Sequence, residues 1–186
     1  MGKRGWALLL AVLALLLTFP TPVLAQDHPS PPRTTHFKGQ ARVFVAGIQE
    51  VQVLNLKPLR LRFVGEVVQG QVVDSSWEAL KGASFQSTHT SEVTFLPGGT
   101  FAGNLTGDFH MVSTSGDLHG TMKAVVKGKW VPGSDGMPVI IEKAHDLGQW
   151  QASGTLAAQA SGTFKARLIP QGPTLAGALD INGVYR

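Results

Sequence analysis

The stretch from Phe101 to Trp130, FAGNLTGDFHMVSTSGDLHGTMKAVVKGKW, alternates between two kinds of residue. Apolar residues and glycine occupy the odd positions from 101 to 111, and then the even positions from 118 to 130. A period of two residues is typical of a β-strand that buries one of its faces. The stretch therefore predicts two strands that lie next to each other in one sheet.

Ser115-Gly116 lies between these two strands and predicts a hairpin loop. With that loop, Phe109 faces Met122 and Met111 faces Gly120, so both strands bury the same face. Register and alternation have to agree in a hairpin, because a slip of one residue would turn every apolar side chain outward.

The same period of two extends through much of the chain. Apolar residues alternate with polar ones from Phe37 to Val45 and from Leu59 to Val67, and the second run places Glu66 on its polar face. The alternation continues for 19 residues without a break from Trp150 to Leu168, and it returns from Leu175 to Tyr185. Runs of this length predict strands longer than the usual five or six residues.

One short helix is expected to interrupt the strands. Ser75 and Glu78 have the spacing of a capping box, and Gly82 follows as a C-terminal stop. Trp77 and Leu80 would hold this turn against the core.

The chain has 186 residues, with 22 Gly and no Cys. The absence of Cys excludes a disulfide scaffold, a thiolate metal site and a Cys nucleophile. Many glycines share the phase of the apolar residues, where they allow long strands to coil and close. We therefore predict an all-β fold, a single antiparallel β-barrel of about eight strands with one short helix. A β-sandwich is the alternative.

The N-terminus has the pattern of a cleavable secretory signal peptide. Lys3 and Arg4 precede an apolar run of 12 residues, which is shorter than the roughly 20 that span a bilayer. Ala25 ends a segment suited to cleavage, and a retained membrane anchor is the alternative. The predicted organisation is a signal peptide at 1–25, a Pro-rich leader at 26–35 and the barrel domain at 36–186.

The predicted compartment is secreted or periplasmic. Without residues 1–25 the net charge falls from +4 to about +2 and no basic run remains, so nucleic acid is not an expected partner. An exported domain without Cys is more typical of a bacterial envelope or extracellular protein than of a small eukaryotic one. We expect contact with a membrane only during export, and no cofactor.

Four polar residues on the outer face of the first hairpin are candidate metal ligands. Asp108, His110, Asp117 and His119 share that face, and the two imidazoles would be diagonal neighbours across the strands. Imidazole and carboxylate groups bind Zn²⁺ and other divalent ions. The same spacing also fits a solvated strand face with polar residues at every second position.

Five large aromatic residues are expected to face the barrel interior, namely Trp77, Phe109, Trp130, Trp150 and Phe164. An eight-stranded barrel either fills its interior with side chains or holds one small ligand. These residues are therefore candidates for lining a ligand cavity, and ordinary core packing is the alternative.

The sequence contains no nucleophile elbow, zinc-protease motif or phosphate-binding loop. His145-Asp146 precedes Gly148 in a predicted turn. Neighbours in sequence point to opposite sides of a strand, so this pair does not predict a catalytic dyad.

Residues 154–166, GTLAAQASGTFKA, resemble the strands of secreted bacterial barrels of the dirigent and allene-oxide-cyclase-like type, with calycins as a wider analogy. The resemblance implies a small barrel around an apolar cavity. No catalytic residue is carried over, because none is matched, and likeness of fold does not fix function.

The sequence thus favours an exported, non-enzymatic β-barrel that binds a small apolar ligand or a partner protein. A small outer-membrane β-barrel is one alternative, since alternation alone suits both kinds of barrel. A barrel-type isomerase or cyclase, which the resemblance implies, is the other.

Overall fold

The computed structural model describes residues 33–186, except for the side chains of residues 146 and 147. The predicted signal peptide and most of the predicted leader lie outside the described residues. Residues 33–186 form one compact unit with nine strands and one 3₁₀ turn, η1 (Glu78–Leu80). The strands are β1 (Thr35–Gly47), β2 (Glu50–Leu56), β3 (Leu59–Ser75), β4 (Ser84–Leu96), β5 (Thr100–Ser113), β6 (Gly116–Pro132), β7 (Pro138–Ser153), β8 (Ala160–Gln171) and β9 (Thr174–Tyr185).

Eight of these strands close into an antiparallel barrel, which confirms the predicted fold class. Strands β3 to β9 pair in sequence order, and β1 completes the ring by pairing with both β9 and β3. β2 lies outside the ring, because β1 pairs with residues 67–75 of β3 while β2 pairs with residues 59–64 of the same strand. The other edge of β2 has no strand beside it among the described residues.

Because the strands alternate in direction, their connections gather at two ends of the barrel. One end holds β2 and the turns that follow β4, β6 and β8. The opposite end holds η1, the turn after β5, the loop after β7 and the end of β9. We call the first the β2 end and the second the η1 end.

Most of the residues that the alternation assigns to the inner face form the core. Phe101 in β5 and Leu118 and Val126 in β6 are buried, as predicted. Glycines of the same phase lie where strands come very close together. A Cβ added at Gly120 would lie 1.9 Å from the carbonyl oxygen of Gln151 on the next strand, so no larger residue fits there.

The register of the β5–β6 hairpin differs from the predicted one. Phe109 lies opposite Gly120 and Met111 lies opposite Leu118, so each pair is displaced by two residues. A shift of two residues keeps the same side chains inside the barrel. The predicted faces are therefore confirmed, whereas the predicted pairing is wrong.

The cause of this shift is the position of the turn. The turn residues are 114 and 115, and Gly116 is already the first residue of β6. The Ser113 hydroxyl accepts a hydrogen bond from the Ser115 N–H and donates one to the Gly116 carbonyl oxygen. These local bonds hold the turn one position earlier than the Ser-Gly pair predicts.

The alternating run from Trp150 to Leu168 is not one strand. β7 ends at Ser153, β8 begins at Ala160, and a loop at 154–159 joins them. Ala152 pairs with Ala160 across this loop. Because both residues are even-numbered, the period of two passes through the loop unbroken, and alternation alone does not reveal the turn.

The predicted helix is a single 3₁₀ turn. Ser75 is the last residue of β3, and its hydroxyl accepts a hydrogen bond from the Trp77 N–H instead of capping Glu78. Gly82 does follow the turn, with a left-handed φ of +79°. Trp77 and Leu80 are buried, so the prediction that they hold this turn against the core is confirmed.

Candidate functional site

Three of the five aromatic candidates for a ligand cavity pack against one another inside the barrel. Phe109, Trp150 and Phe164 are buried, and the rings of Phe109 and Trp150 meet edge to face with centroids 6.0 Å apart. Together with their apolar neighbours they surround a void of about 10 Å³. That is about the space of one water molecule, so a ligand bound there would have to displace side chains. The neighbours are Phe85, Met111, Met122, Leu179 and Ile181.

The other two aromatic candidates lie at the ends of the barrel. Trp77 stacks on Tyr185 at the η1 end, with ring centroids 3.8 Å apart. Trp130 packs edge to face on Phe95 at the β2 end, and its indole N–H donates a hydrogen bond to the carbonyl oxygen of Thr100. Aromatic rings thus fill both ends of the interior.

Three of the four predicted metal ligands meet on the outer face near the η1 end. His110 and His119 lie directly opposite each other, not diagonally as predicted. Asp117 Oδ2 lies 3.4 Å from His119 Nδ1 and 3.6 Å from His110 Nε2. Asp108 lies apart from these three, two residues before His110 in β5. Among the described residues, no group of three or more such side chains is arranged to hold a metal ion. The arrangement therefore gives the metal hypothesis no support.

Asp117 instead ties the β7–β8 loop to the start of β6. Its Oδ1 accepts a 2.5 Å hydrogen bond from the Thr155 hydroxyl, and its N–H donates a 2.8 Å bond to the same hydroxyl. The hydroxyl and the N–H of Thr155 lower the pKa of Asp117 to about 2, with a smaller contribution from His119. This carboxylate therefore acts as a loop anchor.

A group of charged and polar side chains lies buried inside the barrel. Glu66 on β3 and Lys143 on β7 form an ion pair in which Lys143 Nζ lies 2.5 and 2.6 Å from the two carboxylate oxygens. The two residues are 2% and 4% exposed. β3 and β7 are four steps apart in both directions around the eight-stranded ring. The ion pair therefore crosses the interior from one wall to the opposite one.

His89 on β4 extends this polar cluster. Its Nε2 lies 3.5 Å from Glu66 Oε2, which is too long for a good hydrogen bond. The Nδ1 of His89 and the hydroxyl of Ser91 have no hydrogen-bond partner among the described residues, which is rare for buried polar atoms. Gly107 makes room for the imidazole, because a Cβ there would lie 2.3 Å from the Cβ of His89.

The burial of Glu66 contradicts the prediction that it faces outward. Val64 and Gly65 together lie opposite a single residue of β4, so β3 contains a β-bulge at this point. The bulge reverses the alternation, and Glu66, Val68 and Val72 are buried beyond it. Gly65 has a left-handed φ of +61°, and it is the one sequence signal of the reversal.

The inward position of His89 could have been predicted from the sequence. β4 alternates without a break, and the buried residues Phe85 and Val93 have the same odd phase as His89. His145 carries no such signal. The turn predicted around it is wrong, because His145 is buried within β7 and its ring meets that of Phe164 edge to face, with centroids 6.2 Å apart.

The surroundings of Glu66 decide its ionisation. Burial by itself would raise the pKa of this carboxyl, but the Lys143 ammonium and the His89 ring outweigh it and hold the pKa well below its usual range. Groups perturbed in this way occur both in active sites and in structural networks. Glu66 and Lys143 are tightly enclosed by other side chains, and this enclosure favours a structural role for the pair.

The outer wall of the barrel is polar between its two ends. Thr106, Lys123, Gln149 and Thr163 form a continuous row of exposed residues across β5 to β8. A barrel that crosses a membrane needs an apolar band at this height. This row of polar residues is therefore evidence against the alternative that the protein is a small outer-membrane β-barrel.

Exposed apolar residues concentrate at the β2 end. Fifteen large hydrophobic side chains are exposed among residues 33–186, and twelve of them lie on β2, just before β2 or β7, or within three residues of a strand terminus at this end. The most exposed of these twelve are Leu56, at 74%, and Val53, at 53%, both on β2. Clustered apolar exposure marks a surface that meets a partner. We call these twelve residues the collar: Phe44, Ile48, Val51, Val53, Leu54, Leu56, Leu96, Val131, Met137, Val139, Ile141 and Ile169.

The comparisons with known proteins give no family for this chain. No family model matches it, and no curated protein or solved structure matches it. The resemblance to dirigent-type barrels therefore stays a prediction. Within residues 33–186, no helix has the length and apolar character needed to cross a bilayer.

Proposed function

We propose that the protein is an exported, non-enzymatic β-barrel that works by attaching to an apolar partner surface through its collar. The observation that carries this proposal is the one-sided distribution of exposed hydrophobic side chains, twelve of fifteen at the β2 end of the described chain. The packed interior supports a surface site over an internal one, because the void inside the barrel measures about 10 Å³.

The energetics of β2 support the same proposal. Covering a fully exposed Leu or Val side chain contributes about 1.5–3 kcal/mol. Within residues 33–186, β2 also has an unpaired edge, a feature that soluble proteins commonly protect with charged residues or proline. β2 carries Val51, Val53, Leu54 and Leu56 along seven residues, with Glu50 as its one charged residue. This composition suits a strand that is covered when the protein is in use.

The test measures retention on an immobilised phenyl surface. It uses the unit of residues 33–186, which contains the whole barrel and its core and which we expect to fold alone. The apolar run at 6–17 would bind such a surface by itself. We expect the double variant Val53→Ser/Leu56→Ser to elute earlier, at a higher salt concentration, than the unchanged unit.

The matched control is Val73→Ser/Val112→Ser, which alters two exposed valines outside the collar. We expect this control to elute with the unchanged unit. Equal elution of all three proteins would overturn the proposal.

A further inference from the structure

We infer that the partner surface is an anionic lipid bilayer, which the collar enters end-on. This inference rests on the proposed function and names its partner. Collar residues come from β1, β2, β4, β6, β7 and β8 and from the connection between β6 and β7, so they surround the barrel. A flat, deformable surface met end-on contacts all of these strands at once, whereas a rigid partner covers one side of such a ring.

The tips of the connections at the β2 end are apolar. Leu56 ends β2, Leu96 ends β4, and Met137 precedes β7. All three side chains are at least 41% exposed. Apolar groups at such tips can enter the boundary between lipid headgroups and acyl chains, to a depth of roughly 5–10 Å.

The charges beside the collar suit an anionic surface. Cations outnumber acidic residues on this half of the described chain. One carboxylate, Glu92, is shared by two arginines, and another, Glu142, is shared by a lysine and an arginine, so each of these groups keeps a positive charge. The cations are Lys57, Arg60, Arg62, Lys127, Lys129 and Arg167, and the acidic residues are Glu50, Glu92, Asp135 and Glu142.

Charges of the two signs balance toward the η1 end, where Asp74, Glu78, Asp108 and Asp117 lie together with Arg33, Lys38, Lys81 and Arg186. An anionic membrane therefore attracts the β2 end more strongly than the other end, and this orients the barrel for insertion. Pairing of two β2 edges in a symmetric dimer would bring together the cations that lie beside the two collars. The charge distribution thus favours a lipid surface over a second copy of the chain.

The test is flotation of the 33–186 unit with phosphatidylcholine vesicles prepared with and without phosphatidylglycerol. We expect binding to the vesicles that contain phosphatidylglycerol, and weaker binding at high salt, because salt screens exposed charges. We expect Val53→Ser/Leu56→Ser to bind at least about tenfold more weakly, since it removes apolar burial. Val73→Ser/Val112→Ser should bind like the unchanged unit.

Charge variants test the choice of lipid. Lys57→Gln/Lys129→Gln removes two cations beside the collar, and we expect about 30-fold weaker binding to the anionic vesicles. Lys38→Gln/Lys81→Gln removes two exposed lysines elsewhere and should leave binding unchanged. Near-UV circular dichroism confirms that each variant is folded before binding is measured.

Absence of vesicle binding, together with collar-dependent retention on the phenyl surface, would overturn the lipid inference and leave the proposed function standing with a protein partner. Vesicle binding that is equally strong for Val53→Ser/Leu56→Ser and for the unchanged unit would also overturn the inference. Loss of collar dependence in both experiments would overturn the proposed function itself.

Discussion

Burying the Glu66–Lys143 pair costs free energy, because each charged group loses its water on entering the barrel. The attraction between the two charges offsets that loss only while both partners are present. The pair joins opposite walls of the ring, so it also fixes the distance between β3 and β7. The ion pair therefore contributes more by holding the interior in one arrangement than by adding net stability.

Removing one member of the pair should therefore be much worse than removing both. We expect Lys143→Met to lower the free energy of unfolding by about 3–5 kcal/mol, because it leaves the Glu66 carboxylate buried without a cation. The double variant Glu66→Leu/Lys143→Met should recover most of that loss. Urea unfolding measures all of these values.

The control for this prediction is Lys129→Met, which breaks an exposed ion pair with Glu142. Exposed pairs contribute about 0–1 kcal/mol, so this change should be small. A loss in Lys143→Met no larger than that of Lys129→Met would contradict the structural role of the buried pair.

The same pair predicts a stability that falls in acid. The pKa of Glu66 is lowered in the folded protein, whereas the unfolded chain should titrate near the ordinary value of about 4.3. The stabilisation from this carboxylate is therefore complete above about pH 5 and is lost as the pH falls below about 4 toward the folded-state pKa. Glu66→Gln should flatten the dependence of the urea midpoint on pH in that range.

Asp117 contributes in the same direction, since its pKa is lowered to about 2. Asp117→Asn is therefore a useful comparison, and it should remove a separate part of the acid dependence. An unchanged pH profile in Glu66→Gln would show that this carboxylate does not govern acid unfolding.

At the scale of single elements, β3 shows where reasoning from alternation succeeds and where it fails. Leu61, before the bulge, is buried as the alternation predicts, whereas Glu66, after it, has the opposite orientation. The cause is one extra residue at Gly65, whose left-handed backbone a residue with a side chain would adopt only with strain. A bulge of this kind changes the contents of the interior without changing the fold class.

We expect Gly65→Ala to lower the free energy of unfolding by about 1–2 kcal/mol, because an L-residue in the left-handed region is strained. Gly47→Ala is the matched control: Gly47 has no positive φ, and an added Cβ there meets no atom within 4 Å. Thermal unfolding compares the two variants, and equal midpoints would contradict the strain at position 65.

For the whole molecule, the alternation predicts the barrel and most of its core, because a closed sheet with one buried face imposes a period of two on every strand. The turn at 154–159 leaves no mark in the alternation. Ala152 and Ala160, which pair across it, are both even-numbered, so the apolar residues keep the same phase on both strands. The ion pair also lay beyond prediction, because it depends on which strands face each other across the ring. The collar depends on which turns share an end of the barrel, and alternation does not assign turns to ends.

Because Thr35 pairs with Tyr185, one edge of the first strand of the barrel stays unpaired until the last strand has been made. A chain synthesised from its N-terminus leaves β1 with an open edge until the twelve residues of β9 have emerged. Contacts between such distant parts of a sequence form slowly, since a long loop of chain must first be ordered. The order of synthesis therefore delays closure of the ring until the last strand has been made.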